Sequence, residues 1–109
     1  LMSLPLCVPM VAAAQSTSSL REDAARINVR LGLEYMRQGQ LGVAQEKIDK
    51  ALQQNPRDAG VQLGAGLLYE QLREPKAAAR HFREAVRLEP KNPDALNALG
   101  AFLCRNGES

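Results

Sequence analysis

The sequence is poor in the residues that carry chemistry. It has a single histidine, His81, and only two cysteines, Cys7 and Cys104, near opposite ends of the chain. Those cysteines form neither a metal-ligand spacing nor a disulfide framework. There is no glycine-rich phosphate loop and no nucleophile motif, so no catalytic activity, metal or cofactor is expected. Aromatic residues make up 4% of the chain and the formal net charge is +2. Basic and acidic side chains alternate, and no basic stripe carries interleaved aromatics, which argues against a nucleic-acid partner. No apolar run approaches the ~20 residues of a membrane-spanning helix. His81, between Arg80 and Phe82, is expected on solvated surface in mid-helix.

What is present is a repeat. Gly32, Tyr35, Ala44, Ile48, Ala51 and Pro56 recur in order as Gly66, Tyr69, Ala78, Phe82, Ala85 and Pro90, each pair 34 residues apart. Gly100 begins a third register, with Leu103 in the tyrosine's place. This period and punctuation resemble the tetratricopeptide repeat, a helix-turn-helix unit that stacks into a solenoid. The expected fold is therefore all-α, a solenoid of antiparallel helix pairs with about two and a half repeats. Their bounds are 25–58, 59–92 and a partial 93–107.

Apolar spacing and capping residues place the helices. The first runs over Asp23–Gln38 with Ile27, Leu31 and Tyr35 as its buried stripe. Gly39 stops it, since glycine reaches the left-handed conformation cheaply. The second, Leu41–Gln54, buries Ala44, Ile48, Ala51 and Leu52 and ends at Asn55-Pro56, because the residue before a proline is driven out of the helical region. Asp58 is placed to cap a third helix over Ala59–Leu72, which buries Val61, Ala65, Leu68, Tyr69 and Leu72. Glu74-Pro75 opens the fourth, which runs to Leu88 and buries Ala78, Phe82, Ala85 and Val86. Asn92-Pro93 caps and opens the fifth, lined inside by Ala95, Leu99, Phe102 and Leu103. Gly32 and Gly66 fall opposite Ala44 and Ala78, where small residues let helix axes approach toward the short end of the ~8–10 Å range. The fifth helix lacks a second helix to pair with, and the residues from Asn106 to Ser109 are too few for a capping helix. The sequence thus reads as a piece of a longer array.

Residues 1–14 carry no charge and end in Ala12-Ala13-Ala14 before Gln15. They look like the apolar core and cleavage site of an export signal without its basic start. Cys7 has Leu4 three residues before it, as a bacterial lipidation motif requires. The bulky Leu6 and the apolar residues after Cys7 argue instead for a cysteine inside the signal core. Residues 15–22, rich in Ser and Thr, are expected to form a flexible tether.

Function is then expected of a surface. In stacked pairs the first helix of each pair lines a concave groove used for extended partners. Helical spacing assigns to that groove Arg26, Val29, Leu33, Met36 and Arg37, then Leu63, Leu67, Glu70 and Gln71, then Asp94, Asn97, Ala101 and Arg105. Val29, Leu33, Met36, Leu63 and Leu67 would form an apolar strip with charges at its margins, suited to an amphipathic or extended protein segment. Some relatives of this repeat class grip a chaperone's C-terminal carboxylate with Lys and Asn. The matching places here hold Val29, Leu33, Gly64, Asp94 and Ala98, so a carboxylate would be desolvated without compensation.

Two stretches resemble a narrower family. Residues Ala25 to Tyr35, leading into Gly39-Gln40-Leu41, and Leu96 to Gly107 with its Asn97-x-x-Gly100-x-Phe102-Leu103-Cys104 core are similar to the pilotin family of type IV pilus biogenesis and stability proteins (PilF/PilW-type). The resemblance implies an exported adaptor in the periplasm, anchored by lipid to the outer membrane, that helps the pilus secretin assemble and localise. Its partner would be a secretin or another pilus-assembly component. The poor lipidation motif at Leu6-Cys7 departs from the family pattern. The alternative is a generic repeat scaffold with another protein partner.

Overall fold

The computed structural model describes the backbone of residues 7–107 and the side chains of residues 18–107. Five helices follow in order: α1 (Cys7–Arg37), α2 (Leu41–Gln54), α3 (Ala59–Gln71), α4 (Pro75–Leu88) and α5 (Pro93–Arg105). Among the described residues there is no strand. Leu1–Leu6, the start of the signal-like segment, lie outside the described residues, as do the Cys7 side chain, Glu108 and Ser109.

The helix ends follow from local chemistry. Asp58 Oδ1 accepts the backbone N–H of Gly60 at 2.7 Å and of Val61 at 3.3 Å, capping α3. Asn92 Oδ1 accepts from Asp94 N at 2.8 Å at the start of α5. Pro75 and Pro93 each occupy a first-turn position, where a missing N–H leaves no bond unmade. The first helix of each pair ends the same way. The backbone turns left-handed at Gly39 (φ +80°), Arg73 (φ +62°) and Gly107 (φ +71°), again 34 residues apart. Gln40 N donates to Tyr35 O and Glu74 N to Tyr69 O, each at 2.9 Å, which closes two matching helix stops.

Packing repeats with the same period. A Cβ on Gly32 would collide with the Ile48 side chain, and one on Gly66 would lie 2.7 Å from the Phe82 ring. The absent side chain is thus the space into which the second helix's largest core residue fits. Ala44, Ala51, Ala78 and Ala85 are fully buried beside it. Phe82 also meets Phe102 of α5 with ring centroids 5.2 Å apart. Each of these rings, wholly buried, contributes roughly 3 kcal/mol of transfer free energy. Small residues matter between pairs too: a Cβ on Gly64 of α3 would strike Val29 of α1.

Two expectations about α1 are corrected. Residues 15–22 are not a tether but part of a continuous helix. They contain no Pro or Gly, and an established helix extends through Ser and Thr at little cost. Second, Ile27 and Leu31 do not face the core: they are 57% and 40% exposed. The buried face is Ala25, Val29, Gly32 and Met36. The period explains this. Val61 and Ala65, 34 residues beyond Ile27 and Leu31, are fully buried where α3 packs on α2. Among the described residues no helix precedes α1 to cover the same face.

Candidate protein-binding groove

The two sides of the solenoid differ. α1 packs on α3 and α3 on α5, whereas α2 and α4 do not touch. Closer spacing of the first helices makes theirs the inner wall of the curve.

The expected groove residues divide into three groups on that wall. Val29 and Met36 are only 9% and 8% exposed. Val29 is a core residue rather than open groove surface, a correction that follows from its filling the space left by Gly64, while Met36, though buried, still lines the groove wall. Leu33 and Leu63 are half-buried, and Leu67 is exposed. Arg26, Arg37, Gln71, Asp94, Asn97, Ala101 and Arg105 are exposed, and Glu70 is half-buried.

The structure draws some of these together. Leu33, Met36, Arg37 and Leu67 line a shallow hollow of about 520 Å³ between α1 and α3, together with Arg30 and Glu34. Leu63 belongs to the next junction instead, packed against the clusters that hold Phe82 and Phe102 and that hold Ala85 and Ala95. Arg105 and Glu70 close the wall between α3 and α5 with two bonds of 2.7 Å each. The hydrogen bond from Arg105 holds the Glu70 carboxyl below the usual carboxylate range against the opposing effect of burial. Arg37 reaches both Glu34 oxygens through the single nitrogen Nη2, at 2.7 and 2.8 Å, and the Glu34 carboxyl is likewise lowered, first by that hydrogen bond. Arg26 lies 3.4 Å from Asp23 and 3.9 Å from Asp58, at the groove's edge. The strip read as continuously apolar is therefore one apolar hollow followed by a neutralised ion pair.

Arg30 and Glu34 were missed as hollow residues because a hydrophobic stripe says nothing of the charged side chains at its rim. The register offered one signal. The positions of Met36 and Leu67 are taken in the next repeat by Glu70 and Ala101, so the two junctions could not be chemically alike.

A second polar cluster lies behind the wall. Gln62 is buried; its Nε2 donates to Pro56 O and its Oε1 sits against His81 Nδ1, both at 2.8 Å. Because the Pro56 carbonyl can only accept, the amide nitrogen faces it and Oε1, an acceptor, faces His81, whose Nδ1 therefore carries the proton. The imidazole stacks on Tyr69, centroids 5.5 Å apart, and Tyr69 Oη donates to Asp49 at 3.0 Å. His81 is thus not solvated surface but a half-buried joint linking α3 to α4. Burial, then the charge of Arg80, pushes its pKa down. Every deeply buried side-chain polar atom among the described residues has a partner.

Among the described residues no group of acidic, His or Cys side chains has a metal-binding arrangement, and no helix is long and apolar enough to cross a membrane. Residues 29–93 match the tetratricopeptide repeat, and residues 81–109 match it again. An uncharacterized protein of Haemophilus influenzae is 36% identical over 84% of this chain, which spans 51% of that protein. The type IV pilus assembly protein PilF of Pseudomonas aeruginosa is 30% identical over 80% of this chain, covering 34% of PilF. A solved structure from the functional characterization of Pseudomonas aeruginosa pilF superposes with a TM-score of 0.75 at 29% identity, over 80% of this chain and 39% of that one. The chain therefore spans about a third to a half of the length of these relatives.

Proposed function

Because the chain belongs to the tetratricopeptide-repeat family, we propose that it is a non-catalytic adaptor in type IV pilus biogenesis, holding a segment of the secretin or another pilus-assembly component in its inner groove. The observation that carries this reading is the partly open hollow between α1 and α3, with Leu33, Met36 and Leu67 as its apolar wall. A half-exposed apolar surface rimmed by charge suits a segment that inserts one side chain and lies along the helices. Relatedness to PilF supports the pilus setting. In that setting the protein works in the periplasm, exported and held at the outer membrane. Radiolabelled palmitate and membrane fractionation would report whether Cys7 carries a lipid.

The test is to replace Leu33 and Leu67 together with Glu in cells that make pili and to measure secretin multimers. Loss of multimers with the variant still folded is expected. Normal multimers from a stably folded double variant would refute the assignment. A generic scaffold with another partner would then take its place if the same variant lost a different bound protein.

A further inference from the structure

The hollow between α1 and α3 differs from its counterpart one repeat on, and the difference points to a partner chemistry. Between α3 and α5 the groove charges are answered internally, by Glu70 and Arg105. Around the hollow, Glu34 is held by Arg37. Arg30 also lines it, on exposed surface, and no described residue gives Arg30 a hydrogen bond or ion pair. With the Glu34–Arg37 pair neutral, the hollow keeps one unanswered positive charge beside an apolar wall.

We infer that this hollow takes a large aliphatic or aromatic side chain of a partner segment that carries a carboxylate within one helical turn of it, the carboxylate meeting Arg30. This rests on the groove reading above and narrows it. An aspartate or glutamate there gains a charge-assisted, two-pronged bond from a guanidinium that has no ion pair of its own, the nearby Glu34 being held by Arg37. A basic segment would bring a second positive charge beside Arg30 with nothing to offset it. The apolar side chain supplies the burial, while the carboxylate sets which segments fit.

The experiment selects displayed random peptides of about 12 residues on the full chain. Fluorescence polarisation then measures Kd for the enriched peptides with the natural chain, Arg30→Glu, Arg30→Lys and Leu67→Glu. Arg30 and Leu67 are exposed, and helical circular dichroism checks each fold. Enriched peptides should pair Asp or Glu with a large apolar residue. Their binding should weaken about fivefold or more in Arg30→Glu, and as salt rises from about 0.05 to about 0.5 M. It should weaken less in Arg30→Lys, which keeps the charge but loses the two-pronged geometry, and be lost in Leu67→Glu. Apolar peptides with no acidic preference, bound equally by Arg30→Glu yet lost in Leu67→Glu, would overturn the carboxylate and leave the groove intact. No enrichment, or peptides indifferent to both substitutions, would overturn both.

Discussion

Gly66 and Gly100 occupy the same place in successive repeats, yet alanine should have opposite effects at the two. A Cβ on Gly66 would sit 2.7 Å from Cδ1 and Cε1 of Phe82 and 2.9 Å from Cζ. The ring cannot withdraw, being fully buried and packed against Phe102. Overpacking of this kind costs about 1–3 kcal/mol, against ~1 kcal/mol gained from alanine's better helix propensity. The net expectation is a loss of about 1 kcal/mol. At Gly100 a Cβ meets nothing within 4 Å, so only the propensity gain remains, about 1 kcal/mol. In a domain of this size each kcal/mol moves the melting midpoint by roughly 4–8 °C. Thermal and urea unfolding followed by helical circular dichroism should therefore place the two variants on opposite sides of the natural chain. Adding Phe82→Leu to Gly66→Ala should recover stability relative to the sum of the single changes, with a coupling of about 1 kcal/mol or more. Equal effects at the two glycines, or additive single changes, would refute the notch-and-plug packing of α3 and α4.

Arg73 holds a left-handed turn that Gly39 and Gly107 hold without strain, so Arg73→Gly should raise the urea midpoint by the equivalent of about 0.5–1 kcal/mol. His81 has a folded pKa below its ordinary value of 6.5, so the unfolded chain takes the proton more readily. The stability it contributes is present above pH 6.5 and lost as pH falls through the folded value. Melting midpoints should drop between about pH 7 and about pH 5, and His81→Asn should flatten that drop. Arg105→Gln removes a partly exposed pair and should cost no more than about 1 kcal/mol, an effect that shrinks at high salt. Because Glu70's folded pKa is lowered, its contribution is present above the ordinary 4.5 and lost in more acid solution, and Arg105→Gln should shrink that loss.

The helix pairs were legible because the repeat states them twice over, but it set Gly32 and Gly66 opposite Ala44 and Ala78, whereas the side chains that fill the space at the two glycines are Ile48 and Phe82. The caps at Asp58 and Asn92 and the stop at Gly39 could be read from residue type alone. The face of α1 could not. Ile27 and Leu31, four residues apart, form the more obvious stripe, whereas its packed face is built from Ala25, Val29, Gly32 and Met36. Ile27 and Leu31 stay exposed because, among the described residues, no helix packs on that face of α1 as α2 packs on Val61 and Ala65. Arg73 has no local turn signal, and only its distance from Gly39 in the repeat reveals it. The His81 joint is invisible in the repeat, as Lys47 stands at the same place one unit earlier. In the groove, helical spacing named Leu33, Met36, Arg37 and Leu67, which share one hollow, along with Val29, which is core. It could not foresee that Glu70 and Arg105 would neutralise each other across two helices.

The central claim, that partners are held on the inner wall, is tested most directly by photo-crosslinking in piliated cells. A benzophenone amino acid is placed at Leu67 on that wall, or at Glu46 or Arg87 on the exposed surfaces of α2 and α4. A crosslinked secretin or other pilus-assembly component is expected from Leu67 and not from Glu46 or Arg87. Crosslinks to such a protein from the second helices, with none from Leu67, would contradict it.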